Sequence, residues 1–392
     1  MYVRIILFYY CEFMNVILLG ATGSIGTQTL ELLQQHNDKL IGFSFGENIT
    51  KARSIIDRFQ PQMVCAKHEA DANKLKEAYP NVQVLHGMDG LIKLAEFAGD
   101  STLVNALLGS IGLLPTVKAI ETKKRICIAN KETLVIAGEL IMKLVRQHNV
   151  EFLPIDSEHV AIHQAMQGDK KIESIVLTAS GGSLRDWSRE ELVNATKQDV
   201  LAHPNWSMGD KITVDSATMM NKGFELLEAH HLFGLDYEQI QTVLHPESMI
   251  HGMVTYADGS VLSQLATPSM SIPIAYALYY PRKLELHPFD VTSLSSLHFS
   301  PMDETRYPLI KLARKVGIQG GVLPCVMNAA NEAAVQLFLN DIISFHQIES
   351  IIQETVSNYK NVPLTSIEQV VRIDQEVFDQ IIHSYSMKRG RS

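Results

Sequence analysis

Two carboxylates stand two residues apart in the stretch PIDSEHVAIHQ: Asp156 and Glu158. Read as an extended segment, positions i and i+2 point to one face, so both side chains reach the same point. Convergent carboxylates of this kind hold a hard divalent cation, with waters and substrate oxygens completing the shell. A surface turn with a helix cap at Ser157 is the alternative. Further along, VDSATMMNKGFELLEAHH places Ser216, Asn221 and Lys222 close together, a dense set of hydroxyl, amide and ammonium donors for an anion. Lys222, Glu225 and Glu228 then recur at i+3 on an expected helix. Either carboxylate can share a pocket with the lysine, or the set is a solvated ion pair. In TASGGSLR, Gly181 and Gly182 follow a strand-like run and form an anion-cradling turn beside Ser180 and Ser183. The loop AHPNWSMGDK brings together His203, Pro204, Trp206 and Met208. That mixture of apolar cover and titratable group suits a lid, and a buried histidine beside a core tryptophan is the plainer reading.

These groups need a scaffold, and the first half of the chain supplies its pattern. MNVILL is an apolar strand, GATGSIG a glycine turn from Gly20 to Gly26, and TQTLELLQQ the start of a helix. Backbone N–H groups and the positive end of a helix dipole meet at such a turn, which makes it a phosphate site. Gly20 permits the tight turn, Gly23 the close approach of a pyrophosphate, and Gly26 the packing of helix on sheet. The GxxGxxG spacing is looser than the dinucleotide fingerprint, so a purely structural strand-to-helix turn stays open. Strands and helices alternate to about residue 155, through LIGFSFG, ITKARSIIDRF, QMVCA, STLVNAL, LLPTVKAIET, RICIA and GELIMKLVRQHN. This alternation predicts a doubly wound parallel sheet, with GSIG (Gly109–Gly112) and ANKET (Ala129–Thr133) at carboxyl ends of strands, where ligands bind. A second part mixes strand-like runs with helices. From about residue 310 the pattern is helical, as in a small bundle.

Composition sets outer limits. The chain has 392 residues, 46% hydrophobic and 20% charged, an ordinary balance for two or three domains with a large core. A net charge of −9 argues against wholesale binding to nucleic acid or an anionic membrane, so an anionic substrate must meet a local basic site. The four cysteines (Cys11, Cys65, Cys127, Cys325) form no CxxC and fit a reducing compartment, the cytoplasm. After the apolar opening MYVRIILFYYCEF, read as an upstream extension with Met14 as the natural start, no uninterrupted apolar run reaches the ~18 residues of a membrane span, which predicts a soluble protein.

GATGSIG, ANKET, PIDSEH, SGGSLR, HPNWSMG, VDSATMMNKGFE and LHPESMIHGMV stand in the order and at the separations seen in one family. From Met14 onward the chain resembles the 1-deoxy-D-xylulose 5-phosphate reductoisomerases. The resemblance implies an α/β protein with three parts: a Rossmann-like NADPH-binding domain over residues 14–155, and a central α+β metal and substrate domain over 156–290 with a lid at about 182–210. A linker (291–309) and a C-terminal helical domain (310–392) follow. It implies conversion of 1-deoxy-D-xylulose 5-phosphate to 2-C-methyl-D-erythritol 4-phosphate, by a carbon-skeleton rearrangement to an aldehyde that NADPH then reduces. By the same resemblance, Asp156, Glu158 and Glu225 ligate Mg²⁺, Mn²⁺ or Co²⁺, with Glu228 a neighbour. Ser180, Ser216, Asn221 and Lys222 hold the substrate phosphate, His203, Trp206 and Met208 belong to the lid, and Lys131 and Ser157 lie beside the reacting oxygens. Thr22, Gly23, Ser24, Ile25, Gly46, Asn48, Asn130, Glu132 and Gly209 match cofactor contacts, and the family pattern is a homodimer.

One position departs from that pattern. Where many family members carry Lys or Arg between Gly46 and Asn48, to meet the 2′-phosphate of NADPH, this chain has Glu47. The general fingerprint puts an acidic residue there on a ribose 2′-hydroxyl, which favours NADH. The resemblance implies NADPH, with Lys51 or Arg53 as substitute cations.

Overall fold

The computed structural model describes residues 13–166, 168, 170–206, 208–286 and 289–389; the expectation of an upstream extension falls mostly on residues outside that set. Seven parallel strands form the first sheet: β1 (Asn15–Leu19), β2 (Lys39–Phe45), β3 (Met63–Ala66), β4 (Gln83–His86), β5 (Thr102–Asn105), β6 (Arg125–Ile128) and β7 (Phe152–Pro154). Their spatial order is β4-β3-β2-β1-β5-β6-β7. Helices α1 (Ser24–Gln35), α2 (Ile49–Phe59), α3 (Glu69–Ala78), α4 (Gly87–Glu96), α5 (Leu113–Glu121) and α6 (Lys131–His148) are the crossovers between them. Val16, Ile17, Leu18 and Leu19 are all fully buried, which is why β1 reads as a continuous apolar run and not as an alternation. The doubly wound sheet expected from the sequence is therefore present. Strand order reverses on the two sides of β1, and ligands of such sheets bind outside the carboxyl ends at this switch point.

Helix α6 begins seven residues before the run GELIMKL that announced it. Asn130 caps it, accepting a hydrogen bond from the Thr133 N–H, so ANKET is a helix start and Lys131 stands on its first turn. Strand β4 left little trace in the sequence because it is an edge strand with only Val84 buried.

The chain then passes through α7 (Ser157–Ala165) into a second, mixed sheet of β8 (Ile172–Ala179), β9 (Ile240–Leu244), β10 (Ile250–Tyr256), β11 (Val261–Leu265) and β12 (Ser300–Pro301), ordered β11-β10-β8-β9-β12. Between β8 and β9 run α8 (Lys197–Leu201), α9 (Asp210–Ala217) and α10 (Met220–Phe233). Helix α11 (Ser271–Tyr279) returns to the first sheet, burying Ile274, Leu278 and Tyr279 in one core with Val16, Phe43 and Val64. Arg125 on β6 fastens it by donating to the carbonyls of Ala277, Leu278 and Tyr280. Four helices close the chain: α12 (Pro308–Gln319), α13 (Leu323–Leu339), α14 (Phe345–Asn358) and α15 (Ile367–Arg389). Helix α13, apolar on nearly every face, packs against α12, α14, α15 and α6. Helix α10 packs on both α6 and α12, so the first sheet, the second sheet and the terminal helices converge on it.

Candidate active site

At the end of β1 the chain turns through Gly20 with φ of 84°. A Cβ on Gly20 would lie 2.5 Å from the Ala106 carbonyl oxygen, and one on Gly26 only 2.3 Å from the Gly20 carbonyl oxygen. Both glycines are demanded by the fold. Gly23 differs: it is exposed and a Cβ there would have room, so its missing side chain serves whatever approaches the turn. As N-cap of α1 it offers no side chain to the first-turn N–H groups of Ser24 and Ile25, which stay available to an anion. Thr22 is tied to α2 through Lys51, whose ammonium donates to the Thr22 carbonyl oxygen (3.0 Å) and to Thr27 Oγ1 (2.5 Å). Lys51 is thus turned into the glycine turn, while Gly46 and Asn48 lie at the end of β2, Asn48 capping α2.

At the ends of β5 and β6, Asn130 is fully buried. Its amide donates to the carbonyls of Leu107 and Gly109, and its oxygen caps α6, so this side chain shapes the rim of the crevice. Glu132 is buried against Lys211 of α9 at 2.8 Å. Burial pushes its carboxyl up, but the Lys211 ammonium outweighs that and holds it below its usual range. Lys211 also pairs with Asp215 at 2.9 Å, and Asp215 accepts from Asn331 of α13, so Gly209 and the start of α9 are anchored to both the first sheet and the terminal helices.

Asp156 and Glu158 converge, though not as an extended pair. Asp156 is the N-cap of α7 and Glu158 lies in its first turn; the Glu158 N–H donates to Asp156 Oδ1, which corrects the expectation of a strand-like segment and of a cap at Ser157. Ser157, also in that turn, donates to Glu158 Oε2 at 2.5 Å. The third carboxylate comes from α10. Met219, held at φ of 63°, breaks α9 from α10 and redirects the chain so that Asn221, Lys222, Glu225 and Glu228 face α7. Oxygens of Asp156, Glu158 and Glu225 lie within 4.8 Å of one another.

Two ammonium groups enter the same space. Lys131 reaches Asp156 at 2.6 Å, Asn221 Oδ1 at 2.7 Å and Glu225 at 3.2 Å. Lys222 reaches Glu158 at 2.7 Å and pairs also with Glu225. Burial opposes the charge on Asp156, yet Lys131 prevails and keeps this carboxyl well below its usual range. Glu225 is pushed up to about 7, first by burial and then by the neighbouring Glu158 carboxylate. Desolvating five charged groups costs several kcal/mol per ion, so such a cluster is a poor device for stability. Three hard oxygen donors converging on one point fit a divalent cation. A second set shares Asp156: His159, fully buried, has Nδ1 3.5 Å from both Asp156 and Glu228, while its Nε2 donates to the Glu225 carbonyl oxygen. Glu228 therefore faces Asp156 across His159 and is as fully buried as Glu225. His159 was missed in the sequence; its position three residues beyond Asp156 on a helix was the available signal.

The turn after β8 completes the site. Gly182, at φ of 75°, comes so close to α9 that a Cβ would stand 2.7 Å from the Ser216 carbonyl oxygen, which brings Ser180 and Ser216 into one region. Ser180 Oγ lies 3.2 Å from His203 Nε2. His203 Nδ1 accepts from the N–H groups of Asn205 and Trp206, so the ring carries its proton on Nε2 and donates to Ser180. Burial, then the Arg185 charge, lowers its pKa and keeps it neutral. Asn205 fastens this loop to the Pro246 carbonyl and Ser248, and the Trp206 ring rests 6.1 Å from that of His251. His251, on β10, is buried within reach of the charges of Glu158 and Lys222. The loop carrying His203 and Trp206 is thus fastened beside β10, whose His251 stands within electrostatic reach of Glu158 and Lys222.

A doubly wound sheet with a phosphate-binding turn, and a buried carboxylate cluster at its edge beside a loop, define a nucleotide-dependent, metal-assisted enzyme class. Three family models match the chain: 1-deoxy-D-xylulose 5-phosphate reductoisomerase over residues 16–138, its C-terminal domain over 152–233, and DXP reductoisomerase C-terminal domain over 265–379. A 1-deoxy-D-xylulose 5-phosphate reductoisomerase of Listeria innocua serovar 6a is 48% identical over 369 residues, covering 92% of this chain and 97% of the relative. One of Bacillus cereus (strain AH187) is 49% identical over 367 residues, with the same coverage of 92% and 97%. Among solved structures, DOX-P reductoisomerase in complex with NADPH, fosmidomycin and magnesium superposes with a TM-score of 0.91 at 36% identity, covering 96% of this chain and 99% of that one. The Zymomonas mobilis enzyme in complex with NADPH gives 0.88 at 37% identity, covering 95% and 99%. The chain belongs to the 1-deoxy-D-xylulose 5-phosphate reductoisomerase family.

Proposed function

We propose that the cluster of Asp156, Glu158 and Glu225 is the metal cradle of this protein and that its reaction takes place between that cradle and the crevice at Gly20–Gly26. As a member of its family the protein carries out the NADPH- and divalent-metal-dependent isomerisation and reduction of 1-deoxy-D-xylulose 5-phosphate to 2-C-methyl-D-erythritol 4-phosphate, in non-mevalonate isoprenoid synthesis. The single observation that carries the residue assignment is the convergence of three carboxylates, from two elements distant in sequence, within 4.8 Å. Mg²⁺, Mn²⁺ or Co²⁺ bound there supplies Lewis acidity to the substrate's carbonyl and adjacent hydroxyl oxygens.

The remaining roles belong to the chain's own side chains. Lys131 and Ser157 border the cradle and present an ammonium and a hydroxyl to the reacting oxygens, where charge develops as bonds shift. Ser180, Ser216, Asn221 and Lys222 supply donors to the substrate phosphate, and neutral His203 adds its Nε2–H from the lid. Thr22, Gly23, Ser24 and Ile25 receive the pyrophosphate of NADPH, Gly46 and Asn48 border its adenosine side, and Asn130, Glu132 and Gly209 border its nicotinamide side. Trp206 and Met208 cover the pocket and exclude water. The protein works as a homodimer in the cytoplasm; among the described residues no helix is long and apolar enough to cross a membrane.

The lid supplies a test. Trp206 is half-buried with its ring against His251, so its fluorescence changes when a phosphonate hydroxamate binds in the presence of Mg²⁺. With Trp187 replaced by Phe, the response persists. His203→Ala weakens that ligand about tenfold or more, the worth of one hydrogen bond to a charged group. A response carried by Trp187 alone would place the closing segment elsewhere.

A further inference from the structure

The carboxyl ends of β2 and β3 hold a group of side chains that none of the roles above uses. Phe45 of β2 pairs with Ala66 of β3, and the parallel pairing extends one residue further, the Lys67 N–H donating to the Phe45 carbonyl oxygen at 3.1 Å. Lys67 and His68 therefore stand level with Gly46 and Glu47. The Lys67 ammonium lies 2.6 Å from Glu47 Oε1, and His68 Nε2 lies 3.0 Å from Glu47 Oε2. These hydrogen bonds hold the Glu47 carboxyl below its usual range.

This arrangement alters what an acidic residue at the end of β2 can do. A ribose diol would share this carboxylate with the donors it already accepts, Lys67 on Oε1 and His68 on Oε2, which draw it toward the end of β3. Lys51, which the sequence made a candidate for the 2′-phosphate, directs two of its three donors into the glycine turn and is held there. Among the described residues Lys67 has Glu47 as its one side-chain acceptor, leaving donor capacity on a group that is 61% exposed. An ion pair as exposed as Lys67–Glu47 adds little to stability, so its effect lies in where it puts the charges.

We propose that Lys67 recognises the 2′-phosphate of NADPH in this chain, with His68 holding Glu47 toward the end of β3 as a counter-ion instead of as a ribose acceptor. The cation that many family members carry between Gly46 and Asn48 is thus supplied from the neighbouring strand. The inference rests on the reading of NADPH as cofactor and adds the residue responsible for the choice.

Equilibrium titration of the full-length protein with NADPH and with NADH, without substrate or turnover, tests it. The unmodified protein binds NADPH more tightly. Lys67→Ala weakens NADPH about tenfold or more, as expected for a lost charge-assisted contact, and leaves NADH unchanged, while Lys67→Arg keeps most of the preference. Glu47→Gln leaves NADH binding unchanged. Circular dichroism confirms that each variant is folded. An unmodified protein that prefers NADPH, with the same preference in Lys67→Ala, overturns this assignment alone. A loss of NADH binding in Glu47→Gln also overturns it, by showing that the carboxylate meets the ribose. An unmodified protein that binds NADH as tightly as NADPH overturns the cofactor reading and the assignment with it.

Discussion

Asp156→Asn and Glu225→Gln each reduce turnover by about three orders of magnitude or more, while NADPH binds as it does to the unmodified protein. The size follows from what a divalent cation contributes at a developing negative oxygen, several kcal/mol, at 1.36 kcal/mol for each tenfold in rate. Its selectivity follows from the fold. Asp156 caps α7 and Glu225 belongs to α10, whereas the glycine turn is built from β1, α1 and the end of β5. Neither substitution touches that turn. Both replacements keep volume and an acceptor oxygen, so Asp156→Asn still caps α7, but each withdraws a counter-charge from the buried Lys131, so circular dichroism accompanies the turnover measurement to show that both variants are folded. Turnover that survives in chelated buffer, or in both variants, would remove these residues from the chemistry.

Lys222→Ala has the second large effect, on stability as well as activity. The Lys222 ammonium is 3% exposed and pairs with Glu158 and Glu225, and burial, which works against its charge, is outweighed by those two carboxylates. Deleting one partner of a buried pair leaves the other charge uncompensated, at a cost of about 3–5 kcal/mol, a large part of the ~5–15 kcal/mol that keeps a domain folded. In chelator the variant's melting temperature falls well below that of the unmodified protein. Mg²⁺ then raises it by more than it raises the unmodified protein, because a cradle that has lost a positive charge binds a cation more tightly and binding stabilises the folded state in proportion to that affinity. The KM for the phosphorylated sugar rises as well, since a donor to the phosphate is lost. Equal melting of the two proteins in chelator would show that Lys222 does not bear on the carboxylates.

The parts of this site that could be read from the sequence are those with local spacing. Gly20, Gly23 and Gly26 recur within one turn, and Lys222, Glu225 and Glu228 recur at helical spacing, so backbone period alone put them on a strand-to-helix turn and on one helix face. Asp156 and Glu158 were paired correctly for an incorrect reason: the capping bond from the Glu158 N–H to Asp156 joins them, where an extended backbone had been expected. What stayed hidden depends on partners distant in the chain. Lys211 bridges Glu132 to Asp215, and Asp215 continues to Asn331; only Lys211 and Asp215 share a helical period, and no spacing links them to Glu132 or Asn331. Lys67 and His68 were invisible for the same reason, standing twenty and twenty-one residues from Glu47 and brought to it only by the register of β2 against β3. His159 and Glu228, buried behind the cradle, were legible as helix positions but not as a pair.

The central claim is that a single site couples rearrangement of the pentulose phosphate to hydride transfer through the carboxylate cradle. It is tested most directly by following NADPH absorbance after 1-deoxy-D-xylulose 5-phosphate is added to metal-stripped protein, first with chelator and then with Mn²⁺, and identifying the product. NADPH consumption that begins only with Mn²⁺ and yields 2-C-methyl-D-erythritol 4-phosphate is the predicted result. Consumption under chelator, or a product reduced without change of its carbon skeleton, would contradict it.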